Sequence, residues 1–262
     1  MNGIITLTTD FGLSDPFVGV MKGQILNRFR EAQLIDLTHG VLAHWPAEAG
    51  FWLARSYQYF PRGTLHVAVV DPGVGTQRDI VLLEADGHIF LAPDNGLLAP
   101  LVSRVVGARI HRLDLGRLAP YGIGAPSATF HGRDIFAPLA AEIAAGRCRP
   151  NSVGTETSEL VPAWVDEPEA AGDHVSGVVI TIDHFGNLIT NIDAALIKRL
   201  RSPVVRTGSH VFALTRTYGD CQPGEYLALI NAFSVVEIAR AEQSAADGLG
   251  IGRGAPVTVT EK

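Results

Sequence analysis

The sequence predicts an α/β N-terminal domain with a mostly parallel, Rossmann-like mixed sheet, followed by a small C-terminal β-barrel domain. Three observations predict it. As far as residue 145, β-rich runs alternate with segments of helical period. A polar, Pro-containing stretch (151–173) then breaks that rhythm. Beyond it, short strands follow one another with a single helical segment between them, as in a small barrel or sandwich. The expected boundaries are 1–160 for the first domain, 161–174 for a linker and 175–262 for the second.

Ile4 to Thr9 is β-rich and ends at Asp10. Phe17, Val18, Met21, Ile25, Leu26 and Phe29 then recur at helical spacing. "QLIDLT" (33–38) is a second strand. Pro46 suits the first position of a helix that carries Phe51, Ala54 and Tyr57. "TLHVAVVD" (64–71) is a third strand. In "IVLLEADGHIFLAP" (80–93), Asp86-Gly87 between two apolar runs predicts a hairpin. "NGLLAPLVSRV" (95–105) predicts a helix and "ARIHRLD" (108–114) a strand. Gly132 to Ala145 is helical, with Ile135, Leu139 and Ile143 on one stripe and Gly146 as the stop. Pro138 in its path suggests that the regular helix starts a few residues later. The second domain reads as strands at 175–183, 187–193, 203–218, 225–233, 234–241 and 255–262, with "AALIKRL" (194–200) helical.

Bulk properties narrow the function. The chain has 262 residues, 47% of them hydrophobic and 18% charged, which excludes a disordered chain. A net charge of −6 without a Lys/Arg cluster argues against nucleic acid and anionic membrane as partners. No apolar run approaches the ~20 residues of a membrane span. The first strand begins too early to leave room for a signal segment. Two distant cysteines, Cys148 and Cys221, read as reduced and structural. Together these lead us to expect a cytoplasmic protein.

Five stretches hold candidate chemistry. In "TTDFGLSD" (8–15), Asp10 leaves a strand where an α/β sheet binds ligands, and a carboxylate there suits a ribose diol. Asp15 precedes a helix and either caps it or binds ligand. In "VVDPGVGTQRD" (69–79), an apolar strand ends on Asp71, turns tightly, and places Arg78 seven residues on. "SATFHGRDIFAP" (127–138) offers His131, a packed or capping residue on the plainer reading. "IDHFGNLITNI" (182–192) offers Asn187, a turn residue or an amide able to read an adenine edge. "INAFSVVEIARA" (230–241) is a strand pair on the plainer reading. Asp10, His39, Asp71, His131 and Asp134 lack the tight spacing of a metal site, so no metal is expected. No GxGxxG or Walker loop is present.

In their order along the chain, these stretches, with "DLTHGV" (36–41) and "APDNGLL" (92–98), resemble the S-adenosyl-L-methionine (SAM) hydroxide adenosyltransferases, relatives of the fluorinase and chlorinase. The resemblance implies hydrolysis of SAM to adenosine and L-methionine. It also implies a homotrimer with SAM at a subunit interface, and no cofactor beside the substrate. It implies a catalytic set of Asp71, Arg78 and His131. Asp10 would hold the ribose hydroxyls, Asn187 would read adenine and Tyr218 would stack on it. Asp15 and Asp183 would hold the methionine ammonium. Trp45 would pack near the ribose or sulfonium, Phe130 would also contact the substrate, and Asn231, Ala232, Phe233, Ser234 and Arg240 would complete the adenine and methionine ends. Ala232 departs from the serine usual in that segment, so Ser234 is the alternative hydroxyl there. Halogenation is disfavoured because Asp71 stands where the halogenases carry an uncharged residue, and a halide beside a carboxylate is costly.

Methionine leaves a sulfonium without acid help, so activation of water is the difficult step. Either His131, backed by Asp71 and oriented by Arg78, accepts its proton, or Asp71 does so while Arg78 and His131 polarise the water. Gly73, Gly75 and Gly132 are expected to let backbone approach the ligand. A SAM- or adenosine-binding sensor without turnover is the alternative from another class.

Overall fold

A computed structural model describes residues 1–262, which form two compact units, Met1–Trp164 and Val165–Lys262. The first unit opens with β1 (Ile4–Thr9), α1 (Phe17–Arg28), β2 (Gln33–Thr38), α2 (Pro46–Ser56) and β3 (Leu65–Val69). The hairpin β4 (Ile80–Ala85) and β5 (His88–Pro93) follows, then α3 (Ala99–Val102) and β6 (Arg109–Leu113). A π-turn (Gly132–Phe136) runs into α4 (Ala137–Ala144), and α5 (Pro150–Val153) leads to β7 (Gly154–Thr157).

The seven strands are ordered β2-β1-β3-β5-β4-β6-β7. The pairs β1–β2, β1–β3 and β3–β5 are parallel, and the remaining three are antiparallel. The sheet is thus a mixed α/β sheet. Period-two alternation divides β3 between two cores. Val67 and Val69 face Met21 and Ile25 of α1 and Leu139 of α4, whereas Ala68 and Val70 face Ala49 and Leu53 of α2. From β1 the chain steps outward to β2 and then back across to β3. The carboxyl ends of β1 and β3 therefore form the switch point at which such sheets bind ligands. Asp10 and Asp71 follow those two ends.

Asp86 and Gly87 both have positive φ, 50° and 82°, as the tight hairpin between β4 and β5 requires. Two sequence expectations shrink. The helix over 95–105 is one turn, and the polar stretch 151–173 is not all linker. Its first residues form α5 and β7, and β7 pairs with β6. Later residues, β8 (Glu169–Ala171), pair with β9. β7 extends the first sheet at its β6 edge, and β8 pairs with the N-terminal end of β9 on the side β10 leaves free, so both meet backbone groups that need partners.

The second unit contains β9 (His174–Ile182), β10 (Leu188–Asp193), α6 (Ala194–Ile197), β11 (Pro203–Thr207), β12 (His210–Ala213), β13 (Tyr226–Ile230), β14 (Val235–Arg240), α7 (Ala245–Leu249) and β15 (Pro256–Glu261). Its strands run in the order β12-β11-β15-β9-β10-β14-β13. Leu214 and Thr215 reach Ala228 of β13, nearly closing a barrel. Val179, Leu188, Val236, Ile238 and Val259 fill it. The segment 194–200 makes only one helical turn. Helix α7 was not expected, although Ser244, three residues before Asp247, caps it by accepting the Asp247 N–H. No helix is long and apolar enough to cross a membrane.

Candidate active site

Where β3 ends, Asp71 continues on the side of Val67 and Val69, toward α1 and the π-turn. The loop 71–78 then folds back on itself. Gly75 sits at φ +76°, and a Cβ there would collide with the carbonyl oxygen of Ala128. Glycine at this position lets the loop pack against the chain's own segment before His131, rather than against open space. That contact brings Arg78 between Asp71 and His131. Its Nε lies 3.0 Å from each Asp71 oxygen, and its Nη2 donates to Asp71 Oδ2 as well. The same Nη2 lies 2.8 Å from His131 Nδ1. The Arg78 and Asp71 side chains are only 11% and 5% exposed, so solvent screens the pair poorly.

A guanidinium can only donate. His131 Nδ1 must therefore accept, which leaves the ring neutral with its proton on Nε2. Burial lowers the His131 pKa, and the neighbouring Arg78 charge lowers it further. The π-turn presents this ring. Ala137 N–H reaches back to Gly132 O, an i→i+5 bond. Pro138 lacks an N–H and would disrupt a regular helical turn there. Asp134 anchors the other side by accepting from Ser127 N, Ser127 Oγ and Arg133 Nε, and these donors hold its carboxyl far below the usual range.

Asp71 and His131 open into a cleft of about 150 Å³ lined also by Phe11, Phe17, Val74 and Phe130. The three phenylalanines meet edge to face, with centroids 5.3–6.0 Å apart. Asp10 stands at the end of β1, and its Oδ2 accepts the His44 N–H at 2.9 Å. Trp45 follows and packs edge-on against Trp164. Its indole Nε1 is buried without a hydrogen-bond partner. His39 is a packed residue, bonded through Nδ1 to Thr9 Oγ1 at 2.8 Å, with its Nε2 lying 3.0 Å from Asp36 Oδ1. Asp15 is exposed and does not cap α1, whose N-cap is Pro16 without a side-chain bond. It is not among the residues lining the cleft.

The second unit has its own pocket, about 560 Å³, lined by Asp183, Asn187, Tyr218 and Arg240 together with Phe185 and Gln243. Four expected residues thus meet. Asp183 Oδ1 accepts the Phe185 and Asn187 N–H groups, and Oδ2 accepts from Asn187 Nδ2. Asn187 keeps its carbonyl and one N–H for a ligand. Gly186, at φ +84°, lets this turn press against Ser244. Arg240 spans the Tyr226 ring at 4.9 Å and donates to Gly224 O.

The loop 231–234 joins β13 to β14 and is not among the pocket-lining residues. Asn231 Oδ1 accepts the Phe233 and Val235 N–H groups. Its Nδ2 donates to Glu237 Oε2 at 3.0 Å. Its amide is therefore committed inside the protein, while Ala232 and Ser234 are exposed, Ser234 at φ 59°. Glu237 escaped the sequence reading. The signal was present, as a lone carboxylate inside the apolar strand "VVEIA".

Residues 5–154 match the N-terminal domain of the SAM hydroxide adenosyltransferase family, and residues 177–258 match its C-terminal domain. The (R)-S-adenosyl-L-methionine hydrolase of Salinispora tropica is 36% identical, over 98% of this chain and 97% of that protein. A fluorinase of Nocardia brasiliensis is more distant, 27% identical over 75% of this chain and 73% of its own. The crystal structure of an uncharacterized conserved protein from Thermotoga maritima matches with a TM-score of 0.90 and 32% identity, covering 98% of this chain and all of that one.

Proposed function

The chain belongs to the SAM hydroxide adenosyltransferase family, and we propose from that premise that Asp71, Arg78 and His131 activate the water with which it hydrolyses SAM to adenosine and L-methionine. The observation that supports this reading best is Arg78, donating at once to Asp71 and to His131 Nδ1 beside an apolar cleft.

The arrangement favours one of the two assignments of the base. His131 Nδ1 is spent on Arg78, and Nε2 carries a proton shared between the Ser127 backbone and the water, so the ring does not accept from the water. Asp71 has about four acceptor sites, and Arg78 takes only some of them. Water donates to Asp71, receives the His131 Nε2–H, and attacks C5′ in line with the departing sulfur. The C5′–O bond forms as the C5′–S bond breaks. The electron pair of that bond neutralises the sulfonium, and the water proton passes to Asp71 and then to solvent. Bulk water is a weak nucleophile, with a pKa of about 15.7. Base assistance is typically worth ~10²–10⁴-fold, and positioning can contribute more. The Phe11, Phe17 and Phe130 rings keep bulk water from competing.

Asp10 and Trp45 would hold the ribose end, and Tyr218 with Asn187 the adenine. The exposure of Asp15 and the internal bonds of Asn231 leave Asp183 and Arg240 as the better-supported contacts among the remaining positions. We further propose a homotrimer, as the family resemblance implies, which light scattering tests.

Incubation of the pure protein with SAM, followed by chromatography, is expected to yield adenosine and methionine in equal amounts. In ¹⁸O-water the label is expected in the adenosine 5′-hydroxyl. Intact SAM after long incubation with the folded protein would favour the ligand sensor.

A further inference from the structure

We propose that Glu237 is a positioning residue for the adenine end of the substrate, holding the Tyr218 ring and the 231–234 loop in one arrangement. This rests on the reading of the pocket as a nucleoside site.

Glu237 lies in the middle of β14 and is 2% exposed. Its neighbours Val236 and Ile238 point into the barrel core. Tyr218 Oη donates to Glu237 Oε1 at 2.6 Å, and Asn231 Nδ2 donates to Oε2 at 3.0 Å. No arginine or lysine pairs with it, and burial raises its pKa, with nearby Asp183 adding to the rise. A carboxylate buried on two neutral donors is a costly way to fill a strand position. What it provides is order in two separate segments. Tyr218 is 45% exposed at the pocket wall, where an unanchored ring would turn freely. With its hydroxyl fixed, the ring is held at the pocket wall before a purine arrives, which lowers the entropic cost of stacking. Through Asn231, the same carboxylate fixes the amide whose oxygen holds the Phe233 and Val235 N–H groups.

The test is Glu237→Gln beside Tyr218→Phe. Glutamine has the same shape but no charge: with its carbonyl toward Asn231 it can only donate to Tyr218 Oη, so the charge-assisted bond that takes the phenol proton is lost. Steady-state kinetics with SAM and calorimetry with adenosine are read together. Both variants are expected to raise the SAM KM and the adenosine Kd by about 5–20-fold, with kcat held within about threefold, the pattern of lost uniform binding. The double variant is expected to fall short of the product of the two single effects, since both remove the same bond. Wild-type KM and Kd in Tyr218→Phe would overturn the proposal, as would a loss confined to kcat in either variant. If Glu237→Gln does not fold, Tyr218→Phe decides alone, because it removes only a hydroxyl at the pocket wall. Absence of SAM turnover in the wild type would remove the hydrolase reading, and the adenosine titration would still test Glu237. A wild-type protein that does not bind adenosine overturns the inference.

Discussion

In the N-terminal unit the charged groups stand at the ends of β3 and the π-turn, against a wall of three phenylalanines. In the C-terminal unit they lie along turns and strand interiors, bonded to backbone N–H groups or, for Glu237, to neutral side chains. The first cleft is small and holds an ion pair with a neutral imidazole on its flank. The second is nearly four times larger and presents an aromatic ring and an amide edge. Charge held rigidly in an apolar cleft suits a change in bonding. A roomy pocket with a flat ring suits recognition. Substitutions at the Asp71–Arg78–His131 cleft are therefore expected to act on kcat, and those at the Tyr218 pocket on KM.

The largest effect is expected from Asp71→Asn. It keeps the shape of the side chain but removes the proton acceptor and the partner of Arg78. A fall in kcat of ~10²–10⁴-fold is expected with little change in KM. His131→Gln, which retains an N–H donor, is expected to cost less than Asp71→Asn. The reverse ranking in single-turnover assays would return the base role to His131.

Gly75→Ala comes next. It leaves all three polar groups in place and strikes only the packing that assembles them, at a positive φ and against Ala128 O. Misplacement by ~1 Å can cost ~10²-fold in rate, and a strained backbone a further ~1–3 kcal/mol of stability. We expect kcat to fall by about 10–100-fold together with a lowered Tm. A normal kcat at a lowered Tm would show that Arg78 needs no such brace.

Tyr218→Ala probes the other side of the comparison. Base–aromatic stacking is worth ~1–3 kcal/mol, so KM is expected to rise by about 10-fold or more while kcat changes little. A kcat loss as large as that of Asp71→Asn would erase the division between the units.

That division was partly legible in the sequence. Asp10 and Asp71 were readable because a strand that ends on a carboxylate is a local pattern, and sheet topology sends such ends to one place. His131 was readable only through the family resemblance, since a lone histidine before a helix has no local signature of catalysis. Its tautomer was not readable at all, because it depends on Arg78, fifty-three residues away in sequence. Glu237 and Asn231 were obscured for the same reason: their partners come from different strands and loops. Asp15 is not the cap its position suggests, because a flanking aspartate resembles a cap in sequence even where Pro16 starts the helix. The strands inside 151–173 were hidden by polar composition, since an edge strand gains its stability from the neighbour it pairs with.

The smallest effect concerns acid, where the two units are expected to respond with opposite sign. His66 in β3 is fully buried, bonded to Thr6 Oγ1 at 2.8 Å and to His88 at 3.2 Å, and stacked on Phe90. Burial pushes its pKa down to about 3, aided by His88, whose own pKa burial also lowers. The unfolded chain takes up these protons near pH 6.5, and the folded chain resists them. Their contribution is fully present above pH 6.5 and is lost as pH falls, by up to about 1.4 kcal/mol per pH unit for each histidine. Glu237 behaves in the opposite way. Its folded pKa is raised, so the folded barrel binds its proton first and gains stability as pH falls toward the ordinary glutamate range. Trp45, Trp52 and Trp164 all lie in the first unit, so their fluorescence follows that unit alone. The urea midpoint read from tryptophan is expected to fall between pH 7 and pH 5, and His66→Gln is expected to flatten that fall. An unchanged slope in His66→Gln would assign the acid sensitivity to other groups and leave the two units with no difference in sign.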